Sequence, residues 1–136
     1  MDFDHFRIIG YGLVPDSCGH GRQRGGLALF RRFEILKGGT NYAAYMDRVR
    51  LAPYGLFGGT DGERVRCEVL RDGKVTKLKS KDRVDLQAGD ILTLTTAGGG
   101  GYGPAAERDH RLVERDISEG FLSPAVAQRH YARRKA

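Results

Sequence analysis

Apolar and polar residues alternate along much of the first hundred positions, and glycine-rich turns interrupt the alternation. Residues 27–36 (LALFRRFEIL) place Leu27, Leu29, Arg31, Phe33 and Ile35 on one face, apolar apart from Arg31, which predicts a β-strand. Residues 42–51, rich in Tyr and Val, predict a second strand that ends before Pro53. Asp72-Gly73 separates two further short runs, residues 67–71 and 74–78, and an Asp-Gly pair supplies the positive φ angles of a type I′ turn. A two-residue hairpin is expected there. Ala88-Gly89-Asp90 predicts another turn, followed by a strand over residues 91–96 in which Thr93 and Thr95 oppose Leu92 and Leu94.

The period changes after Gly103. Residues 106–119 set Leu112, Val113 and Ile117 at helical spacing among charged residues, with Gly120 as the stop. Ser123 is a candidate N-cap with Pro124 at the first helical position, and Ala127 and Tyr131 follow four residues apart. The fold class expected is α+β, mostly β: antiparallel strands with glycine-rich turns, then one or two C-terminal helices. Its organisation is read as a single domain over 1–136, with an N-terminal lead-in (1–14), a β-rich core (15–103) and a helical C-terminal segment (104–136).

Composition adds one outlier, since 20 glycines in 136 residues is about twice the usual share. They are neither periodic nor mixed with many of the 4 prolines, which excludes collagen and simple low-complexity disorder. No apolar run approaches the ~20 residues that span a bilayer, and MDFDHF carries acid where a signal peptide carries base. A cytoplasmic protein with no membrane partner is expected. The net charge of +6 is spread thinly, and only Arg133, Arg134 and Lys135 cluster, so nucleic acid is not an expected partner either. Two cysteines, Cys18 and Cys67, do not make a disulfide framework, and reduced thiols are expected.

Candidate chemistry gathers in two glycine-rich stretches. Residues 98–103 (GGGGYG) follow a strand but lack both the Lys-Ser/Thr ending of a P-loop and the GxGxxG pattern, so close packing of Gly98, Gly99, Gly100 and Gly101 against another backbone outranks an anion cradle. Tyr102 beside them offers an interface anchor with an apolar ring and a hydroxyl. Residues 16–26 (DSCGHGRQRGG) hold Arg22 and Arg24, which could grip an acidic group of a partner through paired hydrogen bonds. Cys18, His20 and Cys67 carry zinc-ligand chemistry, though C-x-H is not a usual finger spacing and buried free thiols are the plainer assignment. No catalytic residue is assigned, since Cys18 and His20 are too close in sequence to align thiol and ring readily, and no cofactor-binding residue is assigned to this chain.

Four ordered segments carry a family resemblance: VPDSCGHGRQRGGLALFRRFEIL, DRVRLAPYGLFGGTDG, LQAGDILTLTTAGGGGYGPAAERD and LVERDISEGFLSPAVAQRHY. Over residues 15–131 they resemble the C-terminal part of the hydantoinase B family, which includes B-type subunits of N-methylhydantoinases, oxoprolinase and the acetone and acetophenone carboxylases. The sequence departs from the family pattern at Cys18 and His20, at Pro104-Ala105 after the glycine loop, and at Tyr131-Ala132-Arg133. B-type chains are several times longer, and their metal-binding residues lie in an N-terminal part without a counterpart here. The resemblance therefore implies a separately encoded small accessory subunit of a hetero-oligomeric, ATP-dependent carboxylase resembling acetophenone carboxylase, joining a ketone and bicarbonate. ATP would belong to a larger A-type partner and a divalent metal to a larger B-type partner, and the isolated chain would be inactive. Competing readings are a subunit of an ATP-dependent hydantoinase or oxoprolinase-type amide hydrolase, a stand-alone anion-binding module, and a small metal protein.

Overall fold

A computed structural model describes residues 3–132. Seven strands precede two helices: β1 (Phe6–Leu13), β2 (Leu29–Ile35), β3 (Thr40–Tyr45), β4 (Arg66–Arg71), β5 (Lys74–Lys77), β6 (Lys81–Leu86), β7 (Ile91–Thr95), a 3-10 turn (Ala105–Glu107), α1 (His110–Ser118) and α2 (Pro124–Tyr131). The class is α+β and mostly β, with antiparallel ladders between β2 and β7, β4 and β7, β4 and β5, and β3 and β6. The chain divides into two compact units, each discontinuous in sequence: residues 1–12, 29–51 and 65–96 form one, and residues 13–28, 52–64 and 97–136 the other.

The first unit holds a five-stranded sheet in the order β1-β2-β7-β4-β5 and a two-stranded sheet of β3 and β6. Its core is Ile35, Ala44, Cys67, Val69, Leu78, Leu86 and Leu92, with Phe6, Phe33 and Tyr42 packed around it. Leu92 stands opposite Phe33 on one side and Val69 on the other, so the central strand buries its apolar positions through both neighbours. Asp72 and Gly73 take φ of 49° and 76°, the geometry expected of a I′ hairpin turn between β4 and β5. At the turn before β7, the buried Asp90 carboxylate accepts the Gln87 N–H at 2.8 Å and two Arg71 donors at 2.8 and 2.6 Å. Hydrogen bonds from Arg71 hold that carboxyl below the usual carboxylate range.

Several elements differ from the sequence pattern: β6 is not among the expected strands, and the helix expected over 106–119 begins only at His110. β2 starts at Leu29 because the Ala28 N–H is taken by Ser17 Oγ at 2.8 Å and Leu27 packs in the second unit's core. β3 starts at Thr40 and ends at Tyr45, before Arg48 turns to a positive φ of 62°, and the expected continuation to residue 51 does not form. The lead-in contains β1, whose two glycines obscure its alternation in the sequence.

The second unit holds both helices. Asp109 caps α1 by accepting from the Arg111 N–H, and Gly120 terminates it with φ of 74°. Ser123 caps α2 through Val126 N–H at 3.3 Å, with Pro124 in the first turn as the sequence predicts. Leu122, Val113, Ala127 and Tyr131 pack with Cys18. The basic residues Arg133, Arg134 and Lys135 lie outside the described residues.

Candidate functional site

The second unit is organised around three glycine-rich segments, residues 17–26, 53–62 and 97–103, whose backbones run against one another. Gly19 N–H donates to Gly99 O at 2.7 Å, Gly99 N–H to Gly26 O at 2.8 Å, Gly101 N–H to Thr60 O at 2.9 Å and Thr60 N–H to His20 O at 2.7 Å. Gln23 and Tyr102 exchange both of their backbone hydrogen bonds, at 2.9 and 2.8 Å. The lattice explains the glycine excess, because a Cβ at Gly19, Gly25, Gly59, Gly98, Gly100 or Gly101 would enter within 3 Å of a neighbouring backbone atom. These residues do not fit a phosphate cradle: the N–H groups of Gly98, Gly99, Gly101, Tyr102 and Gly103 all donate to backbone carbonyls of the same unit.

A buried polar cluster adjoins the lattice. The Asp116 carboxylate, 6% exposed, accepts Arg24 Nε at 2.9 Å and Arg108 Nη2 at 2.8 Å on the same oxygen. Burial would raise this carboxyl, but hydrogen bonds from Arg24 and Arg108 outweigh it and hold it low. Arg24 is therefore engaged within the chain, and its Nη1 also donates to Gly25 O at 3.0 Å. His20 is buried, stacks on His130 at 4.0 Å between centroids, and hydrogen-bonds through Nδ1 with the Tyr131 hydroxyl at 3.1 Å. Burial and the adjacent His130 push His20 down to about 4, so its ring is neutral at physiological pH. Burial pushes the Tyr131 hydroxyl up to about 12 and raises the Cys18 thiol. A buried thiol held protonated is a poor nucleophile.

The sequence-predicted metal ligands are divided between the two units. Cys18 and His20 belong to the second unit, whereas Cys67 sits on β4 of the first, its Sγ 3.9 Å from the Tyr42 hydroxyl. Among the described residues, no group of three or more His, Cys, Asp or Glu side chains could hold a metal ion.

On the surface of the same unit the lattice presents an aromatic patch. Tyr102, 43% exposed, meets Phe57 edge to face at 5.2 Å between centroids, and Leu56 and Tyr54 are exposed nearby in sequence. Arg22 lies 6.0 Å from the Tyr102 ring and 3.6 Å from the Glu107 carboxylate, with both charged side chains about half exposed. Phe57 adopts φ of 50° while its ring is 74% exposed. A bulky residue in the left-handed region is strained, and here it lies within a turn closed by the Gly59 N–H donating to Leu56 O at 3.0 Å. Rigid, exposed aromatics with an arginine beside them have the composition of interface anchors. The sequence pointed to Tyr102 and Arg22; Phe57 was recognisable only as part of the segment PYGLFGG, Tyr131 only as a helix-face position four residues from Ala127, and Asp116 and Arg108 carried no local signal.

A family model described as hydantoinase B/oxoprolinase matches residues 5–105. An uncharacterized protein of Methanocaldococcus jannaschii is 37% identical over 91% of this chain and 22% of its own length. The acetophenone carboxylase delta subunit of Aromatoleum aromaticum is 27% identical over 88% of this chain and 23% of its own. Among solved structures, the ATP-dependent caprolactamase of Pseudomonas jessenii superposes with a TM-score of 0.80 at 25% identity, covering 93% of this chain and 23% of that one. The chain thus spans less than a quarter of the length of these relatives.

Proposed function

The chain belongs to the hydantoinase B/oxoprolinase family, and from that membership we propose that it is an accessory, structural subunit of a multisubunit ATP-dependent carboxylase that joins a ketone to bicarbonate. In this reading it completes a larger B-type chain, which holds a divalent metal, while an A-type chain binds ATP; the assembly works in the cytoplasm. The observation that carries the reading is the pairing of a spent interior with a prepared surface. In the buried cluster Asp116 is taken up by Arg24 and Arg108 and His20 by Tyr131, with the Arg108 Nε alone left without a partner, whereas Phe57, Tyr102 and Arg22 are held outward on the glycine lattice. The described residues include no helix long and apolar enough to cross a membrane.

The isolated chain is expected to show no ATP hydrolysis. Phe57→Ala with Tyr102→Ala should weaken retention of the larger B-type chain by at least tenfold while leaving the thermal unfolding of the isolated chain nearly unchanged, because both rings are already exposed. Retention equal to wild type would refute the role of the patch, and ATP turnover by the pure chain would refute the accessory role.

The structural match to the caprolactamase supports a second reading, a subunit of an ATP-dependent amide hydrolase of the hydantoinase or oxoprolinase type. Supplying the assembled complex with ATP and either a cyclic amide or a ketone with bicarbonate separates the two by which substrate is consumed.

A further inference from the structure

The two edges of the five-stranded sheet are built differently. β5 is four residues long and carries Lys74 and Lys77, and lysines on a short strand discourage pairing with another chain. β1 is eight residues long, contains neither Lys nor Pro, and among the described residues has β2 as its one neighbour in the sheet; its one charge, Arg7, is exposed and lies 3.6 Å from the Glu34 carboxylate of that neighbour. His5 lies against Leu36 and Gly12 against the Phe30 ring, so β1 runs antiparallel to β2. Its burial alternates along the strand. Phe6, Ile8, Gly10 and Gly12 are half-buried, whereas Ile9 and Tyr11 are 43% and 79% exposed. A long edge whose single charge is paired to its own sheet, and which displays apolar side chains at the following alternate positions, is a surface to which an extended segment adds as a further strand.

We propose that β1 is a strand-addition site, and that its occupant is an extended segment of the larger B-type chain with apolar residues at alternate positions. The inference rests on the accessory-subunit reading and assigns it a second contact surface, independent of the aromatic patch. Two observations select this occupant. The family match begins at residue 5, so β1 is an element of the shared family fold rather than an appendage. The matched relatives are more than four times as long as the part they share with this chain, so a family chain has ample further polypeptide to cover the edge.

The test compares hydrogen exchange of the isolated chain with that of the same chain in the assembly purified from its source. Alternate β1 amides should exchange at least tenfold more slowly in the assembly. Replacing Ile9→Lys together with Tyr11→Lys should reduce retention of the B-type chain at least tenfold, whereas Val75→Lys on the β5 edge should not. Should the double variant fold poorly, the exchange comparison on the unsubstituted chain decides. Unchanged β1 exchange beside a retained B-type chain overturns this inference and leaves the accessory role standing, and a homodimer joined through β1 overturns it equally. If no larger family chain is retained, both readings fall.

Discussion

Placing a single methyl group at Gly101 probes the backbone lattice directly. An alanine Cβ there would enter within 3 Å of the His20 carbonyl and reach 3.0 Å from the Gly19 carbonyl carbon. Both neighbours are backbone, so no side-chain rotamer can relieve the clash. Moving the strands apart would disturb the bonds from Gly101 N–H to Thr60 O, Leu56 N–H to Gly101 O and Thr60 N–H to His20 O. Weakening two or three backbone hydrogen bonds costs about 1 kcal/mol each, and overpacking adds about 1–3 kcal/mol, for a destabilisation of roughly 3–6 kcal/mol. The gain from a stiffer unfolded chain is only about 0.4–1 kcal/mol and cannot compensate. Gly26 supplies the control: a Cβ there meets nothing within 4 Å and its φ is outside the left-handed region. Gly26→Ala should be neutral or slightly stabilising. Urea unfolding followed by circular dichroism at 222 nm suits the comparison, since both helices belong to the unit that contains the lattice. A Gly101→Ala protein within 0.5 kcal/mol of the unsubstituted chain would refute the close-approach account of the glycines.

Asp116→Asn should destabilise the second unit by about 3–5 kcal/mol, because it leaves Arg24 and Arg108 buried around a neutral group; equal urea midpoints would contradict this. His20, whose folded pKa of about 4 lies below its unfolded value, should make stability fall as pH drops from about 6.5 toward 4, since the unfolded chain takes the proton first. The loss should approach roughly 3 kcal/mol, with His130, also held low by burial, acting in the same direction; His20→Gln should flatten the pH dependence, and an unaltered profile would show that His20 is not its source. Asp90 and Asp116 act in a lower window: their depressed pKa values give stability that is present above the unfolded carboxylate value and lost as pH falls below about 4.

Features governed by neighbours in the chain were legible in the sequence. The Asp72-Gly73 turn, the Ser123-Pro124 helix start and the Gly120 stop each depend on local backbone preferences, and the structure places each as read. The glycine run at 98–101 was legible as a close-packing element, but its partners were not, since they lie some 40 to 80 residues away along the chain at Ser17, His20 and Tyr54. The same distance hid the Arg24–Asp116 pair, so that Arg24 read as a clamp for a partner although its carboxylate is supplied by α1. β1 escaped because Gly10 and Gly12 occupy its inward positions, where the Phe30 ring replaces the missing side chains. An apolar-count pattern does not register such a strand.

Native mass spectrometry of the chain, drawn gently from its source at low salt, tests the central claim most directly. The account predicts a particle several times heavier than 15.0 kDa that contains a larger hydantoinase B-type chain. A free 15.0 kDa monomer, with no family chain bound, would contradict it.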